Sequence, residues 1–334
     1  MKKIVVAGIA VIAALVLVGS GQWPFSSSDT TDSGNPDSII IGSNAIEHSA
    51  LIYIAVDQGY FAKNGLNVTT RDYTIAPEAM GGLLNNVVDM ASIPEYTIVE
   101  KAFKKENISV IGCIDKFQTA SLIGRKDKGI ESISDLKGKK IGLSRGTLIE
   151  FYLGRFLDLH GMSLQDVTLV DLPSTQYVQA LTNGSVDALV TSKNYKDQIV
   201  RLLGANVVIW PAQSNQPGFV LMTCRDDWAA NHPDTINKLL RSLVQAEEYA
   251  TNHPDAAKAI VQKRLNFTDE YIATVWPNHR FSLSLDQSLL LAMSDEGRWM
   301  IKNNLTTEKT LPYFWDYIYT KGLEEVKLEA VNII

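Results

Sequence analysis

Short apolar runs and longer stretches of helical spacing take turns along most of this chain. A strand is predicted at Ser38 to Ser43, followed by a polar loop from Asn44 to His48 and a helix from Ser49 to Lys63. The order then continues as strand Leu66 to Tyr73, helix Glu78 to Asn86, strand Met90 to Ser92, helix Tyr96 to Lys105 and strand Ser109 to Asp115. Strands that alternate with helices in this way predict an α/β fold, with a largely parallel sheet covered by helices on both faces.

The clearest single unit lies between Ser134 and Gly161. Lys139 to Leu143 reads as a buried strand, and Ser144, Arg145 and Gly146 break its pattern just before an amphipathic run of about a dozen residues. Thr147 and Glu150 have the spacing of a capping box, Ile149, Leu153, Phe156, Leu157 and His160 fall at helical spacing, and Gly161 supplies the stop. A helix start at the carboxyl end of a strand presents unpaired N–H groups, and Arg145 stands beside it, so the turn suits an anion. The alternative is a turn that satisfies itself, with Arg145 in water. Glu150 argues against a bare anion, because its carboxylate sits in the same first helical turn.

An internal echo organises the rest. GLNVTTRDYTIAPEAMGGLLNNVVDMAS, from Gly65, is answered by GMSLQDVTLVDLPSTQYVQALTNGSVDALV, from Gly161. In both, a glycine closes a helix, a strand follows, Pro77 or Pro173 opens a loop, and a short helix leads into another strand. Two lobes of like construction are expected. ASLIGR (Ala120 to Arg125) and GFVLMTCR (Gly218 to Arg225) read as the two crossing strands of a hinge. The expected division is lobe 1 from 38–123 and 219–334, including C-terminal helices, and lobe 2 from 124–218, with a cleft between them. Later helices are expected after the two NHPD stretches at Asn231 and Asn252, over Asp286 to Asn304, and around Pro312 to Tyr319.

Composition adds the setting. Lys2 and Lys3 precede an uncharged apolar run from Ile4 to Gly19, which reads as an export signal or anchor over residues 1–21. Ser20 stands where a lipoprotein signal would carry its cysteine, so no thioether anchor can form there. Residues 22–37, rich in Ser, Thr, Asp, Gly and Pro, read as a disordered tether. The body is therefore expected outside the cytoplasmic membrane, as a monomer. Cys113 and Cys224 are then in a compartment that permits disulfides, yet each lies within an apolar strand, which favours buried thiols. The 334 residues, with 46% hydrophobic and 20% charged, are enough for two lobes. A net charge of −6 gives no basic footprint, so a nucleic-acid partner is not expected.

No HExxH, CxxC, GxSxG, Walker or GxGxxG motif occurs, and the five histidines have no metal spacing, so neither a cofactor nor a metal is expected. What remains is a set of polar turns at the carboxyl ends of strands, where α/β sheets place ligands. The candidates are Asn44, Glu47 and His48; Glu95 and Tyr96; Gln118; Ser144, Arg145, Gly146 and Thr147; Ser192, Asn194 and Tyr195; and Gln216.

IIIGSN, ALIYIAVDQGYFAKNGLNV, VVDMAS, ESISDLKGKKIGLSRGT, GSVDALV and HPDTINKLLRSLVQAEEYATNHPDAA, in that order, resemble the solute-binding proteins of ABC importers for nitrate, sulfonates, taurine and pyrimidine thiamine precursors. The resemblance covers residues 38–305. It implies a type II periplasmic-binding fold, closure of two lobes on a small solute, and delivery to a membrane permease with a cytoplasmic ATPase. It also implies that the turn Ser144 to Thr147 meets the polar head of the ligand and that the loops at Asn44 to Ser49, Ile93 to Tyr96, Ser192 to Tyr195 and Gln216 line the cleft. Glu47, Glu95 and Glu150 depart from what a nitrate site would tolerate, which favours a zwitterionic aminosulfonate or a neutral to basic heterocycle. The cysteine-rich motif of the pyrimidine-synthesising members is absent, so that activity is not carried over. A lyase on the same scaffold, with Glu95 or His48 as base, and a tethered solute sensor are the alternatives.

Overall fold

The computed structural model describes residues 36–333. The expected signal or anchor and nearly all of the expected tether therefore lie outside the described residues. Regular structure begins at Asp37, one residue inside the span assigned to the tether.

The first lobe opens with β1 (Asp37–Asn44), α1 (Ala50–Asp57), α2 (Tyr60–Lys63), β2 (Leu66–Tyr73), α3 (Ala76–Leu84), β3 (Met90–Pro94), α4 (Glu95–Phe103) and β4 (Ile108–Phe117). The helix expected over Ser49 to Lys63 is two helices, because Gly59 takes a left-handed φ of 67° and turns the chain between them. The second lobe holds β5 (Ser121–Arg125), β6 (Lys140–Leu143), α5 (Leu148–Leu159), β7 (Thr168–Asp171), α6 (Tyr177–Thr182), β8 (Ala188–Thr191), α7 (Lys193–Leu203) and β9 (Val207–Pro211). The chain then returns through β10 (Gly218–Arg225), α8 (Asp226–Asn231), α9 (Pro233–Asn252), α10 (Pro254–Leu265), α11 (Asp269–Val275), β11 (His279–Arg280), β12 (Leu285–Asp286), α12 (Gln287–Lys302), α13 (Lys321–Val326) and β13 (Val331–Asn332). Around Pro312 to Tyr319 only a single tight turn forms, Phe314–Tyr317, rather than the expected helix. Its bulky residues act as braces: Phe314 is buried, and Tyr317 donates from its hydroxyl to Ala102 O at 3.1 Å.

Beside a small β12-β13 pair, the two larger sheets share one plan. Lobe 1 is ordered β11-β4-β10-β3-β1-β2 and lobe 2 is ordered β7-β6-β8-β5-β9. In each, three parallel strands (β2-β1-β3 and β7-β6-β8) meet an antiparallel strand contributed by the chain just after it has crossed between lobes. The internal echo in sequence is this repeated parallel unit. The strands read as crossings, β5 and β10, are instead sheet members in opposite lobes, and the chain crosses in the short segments 118–120 and 212–217. Sequence reveals that a strand exists but not which sheet completes its hydrogen bonds.

The crossings are joined by a side chain. Gln213, 3% exposed, accepts through Oε1 from Thr119 N (2.6 Å) and Ala120 N (2.9 Å). Its amide nitrogen donates to Phe117 O (3.0 Å), Gln216 O (3.1 Å) and Tyr152 Oη (3.1 Å). Behind them α12 of lobe 1 packs on α5 of lobe 2 through Trp299 and Phe151, whose rings meet edge-on at 5.5 Å.

Candidate functional site

The carboxyl ends of the parallel strands in both lobes face a common cavity of about 240 Å³. Lobe 1 supplies Asn44 at the end of β1 and Glu47 and His48 from the turn after it, together with Thr97, Phe117 and Tyr271. Lobe 2 supplies Ser144, Thr147 and Leu148 at the β6–α5 junction, Ser192, Asn194 and Tyr195 at the β8–α7 junction, and Tyr152 and Tyr177. This is where an open α/β sheet is built to place a ligand. A larger hollow of about 540 Å³ lies on the outside of lobe 1, but two of its three cations, Lys116 and Lys327, are already paired with Asp286 and Glu247. It also draws its lining from one lobe only.

Of the candidates from sequence, Asn44, Glu47, His48, Ser144, Thr147, Ser192, Asn194 and Tyr195 line the cavity. The other six do not. Glu95 is fully buried and accepts from Phe219 N at 3.0 Å, and Tyr96 is buried among Phe151 and Trp299. Both follow a strand end, as the true lining residues do, yet they face the core behind the hinge. Glu95 is therefore withdrawn as a catalytic base as well. Gln118 points to solvent, while its backbone N donates to Asn278 O at 2.9 Å. Gln216 gives its carbonyl to Gln213, the residue that ties the crossings.

Arg145 and Gly146 are exposed, and the Arg145 Nε and Gly146 N donors are already taken. Glu150, 1% exposed, accepts from Gly146 N (2.7 Å) and Arg145 Nε (3.1 Å), so its carboxylate fills the place an anion would occupy. The expected capping box does not form either. Thr147 Oγ1 donates to Ser144 O at 2.8 Å instead of capping the helix. Ser144 is likewise engaged, donating to Leu172 O (2.8 Å) and accepting from Tyr177 Oη (2.7 Å).

The charged part of the cavity lies in lobe 1. His48 Nδ1 and His279 Nδ1 stand 2.8 Å and 2.7 Å from the same oxygen, Oδ2 of buried Asp115. His279 Nε2 lies 3.6 Å from Glu47 Oε1, which also accepts from Tyr271 Oη at 3.0 Å. Burial alone would raise the Glu47 carboxyl, but the neighbouring His279 and His48 outweigh it and bring the pKa down to about 2. Burial would likewise lower His279, and Asp115 with Glu47 reverse the sign and hold it at about 9. Glu47 therefore faces the cleft as a carboxylate, and His279 is an imidazolium clasped between two acids. No Lys or Arg is among the residues lining the cavity.

Several polar atoms here await a partner. Asn44 Oδ1 is buried and accepts nothing among the described residues. Asn194 Oδ1 accepts from Ser192 Oγ and Tyr195 N, which fixes the orientation of its amide beside the cavity. Around them stand the rings of Phe117, Tyr152, Tyr177, Tyr195 and Tyr271. Sequence reasoning missed most of these. Phe117 is the last residue of β4 and Thr119 lies in the crossing just after it, a strand end of the kind where an α/β sheet places its ligands. Tyr271 and His279 carry no local signal, since the fold brings them in from the far end of the chain.

Residues 46–257 match the family described as NMT1/THI5 like. The chain belongs to that family. A Brucella abortus protein named as a binding protein is 25% identical over 256 residues, covering 75% of this chain and 77% of that one. A Bacillus subtilis protein named for binding aliphatic sulfonates is 26% identical over 197 residues, 57% of this chain and 59% of that one. An enzyme is also among the similar proteins: 4-amino-5-hydroxymethyl-2-methylpyrimidine phosphate synthase of Aspergillus parasiticus is 25% identical over 236 residues, 64% of this chain and 66% of that one. In three dimensions, the periplasmic aliphatic sulphonate binding protein SsuA from Escherichia coli superposes with a TM-score of 0.73 at 16% identity, covering 85% of this chain and 92% of that one. That likeness establishes the periplasmic-binding-protein fold for this NMT1/THI5-like chain. No helix among the described residues is long and apolar enough to cross a membrane.

Proposed function

We propose that this chain is the extracytoplasmic solute-binding protein of an ABC importer, which closes its two lobes on a small organic solute and presents it to a permease driven by a cytoplasmic ATPase. One observation carries the reading: a cavity shared by the strand ends of both lobes, directly beside the two crossings pinned by Gln213. A ligand that touches both walls stabilises the arrangement in which the walls are close, and its differential affinity drives closure. The relatives named as binding proteins support this reading.

The lining narrows the solute. Five aromatic rings favour an organic body over a bare oxyanion, and the ionised Glu47 favours an amine or another hydrogen-bond donor at the lobe 1 end. A zwitterionic solute such as an aminosulfonate meets both demands. Its anionic head would lie against the start of α5, near Thr147 and Leu148. Binding rather than catalysis is the reading for this chain, supported by the relatives named as binding proteins; both thiols are buried, Glu95 lies outside the cleft, and His48, which lines it, is held by Asp115.

Native mass spectrometry of the purified protein, with taurine, alkylsulfonates, nitrate and aminopyrimidines added singly, tests the proposal. One organic solute bound at one copy per chain, with a raised melting temperature, is the expected result. A folded protein that none of these solutes stabilises, and that carries no solute through purification, overturns it.

A further inference from the structure

We propose that His48, Asp115 and His279 form a binding site for one divalent transition-metal ion at the floor of the cleft. Each of the three offers one ligand atom, and these atoms all lie within 4.8 Å of one another. They come from three separate places, the turn after β1, the strand β4 and the short strand β11, so nothing in their sequence spacing announces the site. The sheet holds two of these places in register, since His279 and Arg280 pair with Phe117 and Lys116 of β4.

Two features separate this group from an ordinary hydrogen-bonded cluster. The first is its unfilled valence. Asp115 Oδ1 and His279 Nε2 are both buried and have no hydrogen-bond partner among the described residues. Native structures leave few such atoms without a cause. Of the four polar atoms of Asp115 and His279, Oδ2 and Nδ1 serve the cluster and Oδ1 and Nε2 wait beside it, with a second carboxylate, Glu47, 3.6 Å from that nitrogen.

The second feature is access and charge. His48 lines the cavity, so an ion can enter from the cleft and keep an outward position for water or solute. No cationic side chain of Lys or Arg lines that cavity to repel an ion entering from the cleft, and the bound dication would take a neutral nitrogen or oxygen donor of the solute. Two imidazoles with carboxylate suit zinc, cobalt, nickel or ferrous iron, whereas calcium and magnesium prefer oxygen ligands throughout. The ligating ring nitrogens must be free of protons, so uptake of the ion releases protons.

Cobalt(II) is the probe. The full chain is stripped with a chelator, dialysed and titrated with cobalt chloride, with zinc binding followed by calorimetry. Visible ligand-field bands that saturate at one ion per chain are expected. His48→Ala, at a partly exposed position, should weaken binding at least about tenfold, and Asp115→Asn should act in the same direction. His253→Ala, which removes a histidine remote from the cleft at the start of α10, should change nothing. Circular dichroism establishes that each variant is folded. Absence of bands up to about a thousandfold excess over a typical micromolar site, or bands that survive His48→Ala unchanged, overturns the proposal.

Discussion

Gln213 and Thr119 meet across the lobe junction: Oε1 of the first accepts the backbone N–H of the second at 2.6 Å, over 94 positions of sequence. The same amide also satisfies Ala120 N and Phe117 O, so one side chain organises the backbone of the opposite crossing. Replacing Gln213 by Ala strands three buried main-chain groups. The expected loss is about 3 kcal/mol, read from urea unfolding, together with weaker solute binding. Gln213→Glu keeps the acceptor and loses the donor, so it should fall between the two. A Gln213→Ala protein as stable as the parent would show that the crossings are held by something else.

Behind the hinge, Glu95 and Glu296 are both fully buried and close enough to share a proton. Burial, first of all, pushes Glu95 up to about 8 and Glu296 well above its ordinary value, with the Glu95 charge adding to the rise at Glu296. A folded-state pKa above the unfolded one means that the native state binds more protons between about 4.5 and about 8. Stability from this pair is thus fully present below that window and falls as pH rises through it, on the order of 1.4 kcal/mol per unit at the steepest. Glu296→Gln should flatten the fall in melting temperature between pH 5 and pH 8. Equal slopes in parent and variant would mean that the pair does not titrate there.

Gly154 lies where α5 of lobe 2 presses on α12 of lobe 1. A methyl group at this position would sit 2.6 Å from Trp299 Cε2. Gly154→Ala should therefore cost about 1–3 kcal/mol through overpacking, despite the higher helix propensity of alanine. Thermal unfolding checks the sign, and a stabilised variant would show that Trp299 can swing aside freely.

Arg145 and Tyr195 should respond in opposite ways. The Arg145 side chain is 49% exposed and bound to Glu150, so Arg145→Ala should leave solute affinity within about threefold and cost about 1 kcal/mol of stability. Tyr195→Ala removes a ring from the cavity wall and should weaken solute binding about tenfold, a loss near 1.4 kcal/mol. Calorimetric titration of both variants with the solute found for the parent decides between the two assignments.

The strand and helix order was legible because β1 to β4 and β6 to β8 carry short apolar runs between polar turns, and α5 carries its apolar stripe at helical spacing. The turn from Ser144 to Thr147 was equally visible as a place. Its occupant was not: five positions separate Arg145 from Glu150, and sequence does not say whether a carboxylate in the first helical turn leaves the donors free or takes them. Glu95 and Tyr96 were misjudged for a related reason. Position at a strand end is written in the chain, whereas the direction a side chain takes from a helix start depends on what packs behind it, here Phe219, Phe151 and Trp299. His48 and His279 reach one carboxylate only through tertiary structure, with 164 positions between Asp115 and its second histidine.

The seat of β4 has a bearing on how the chain matures. Both of its neighbours, β10 and β11, lie more than a hundred residues downstream, so nothing made earlier can pair with it. A half-synthesised chain is left with an unmatched central ribbon and cannot consolidate its first lobe until residue 225 has emerged. Completion of the first sheet is therefore a late event, reached only when the returning strand slots into the gap.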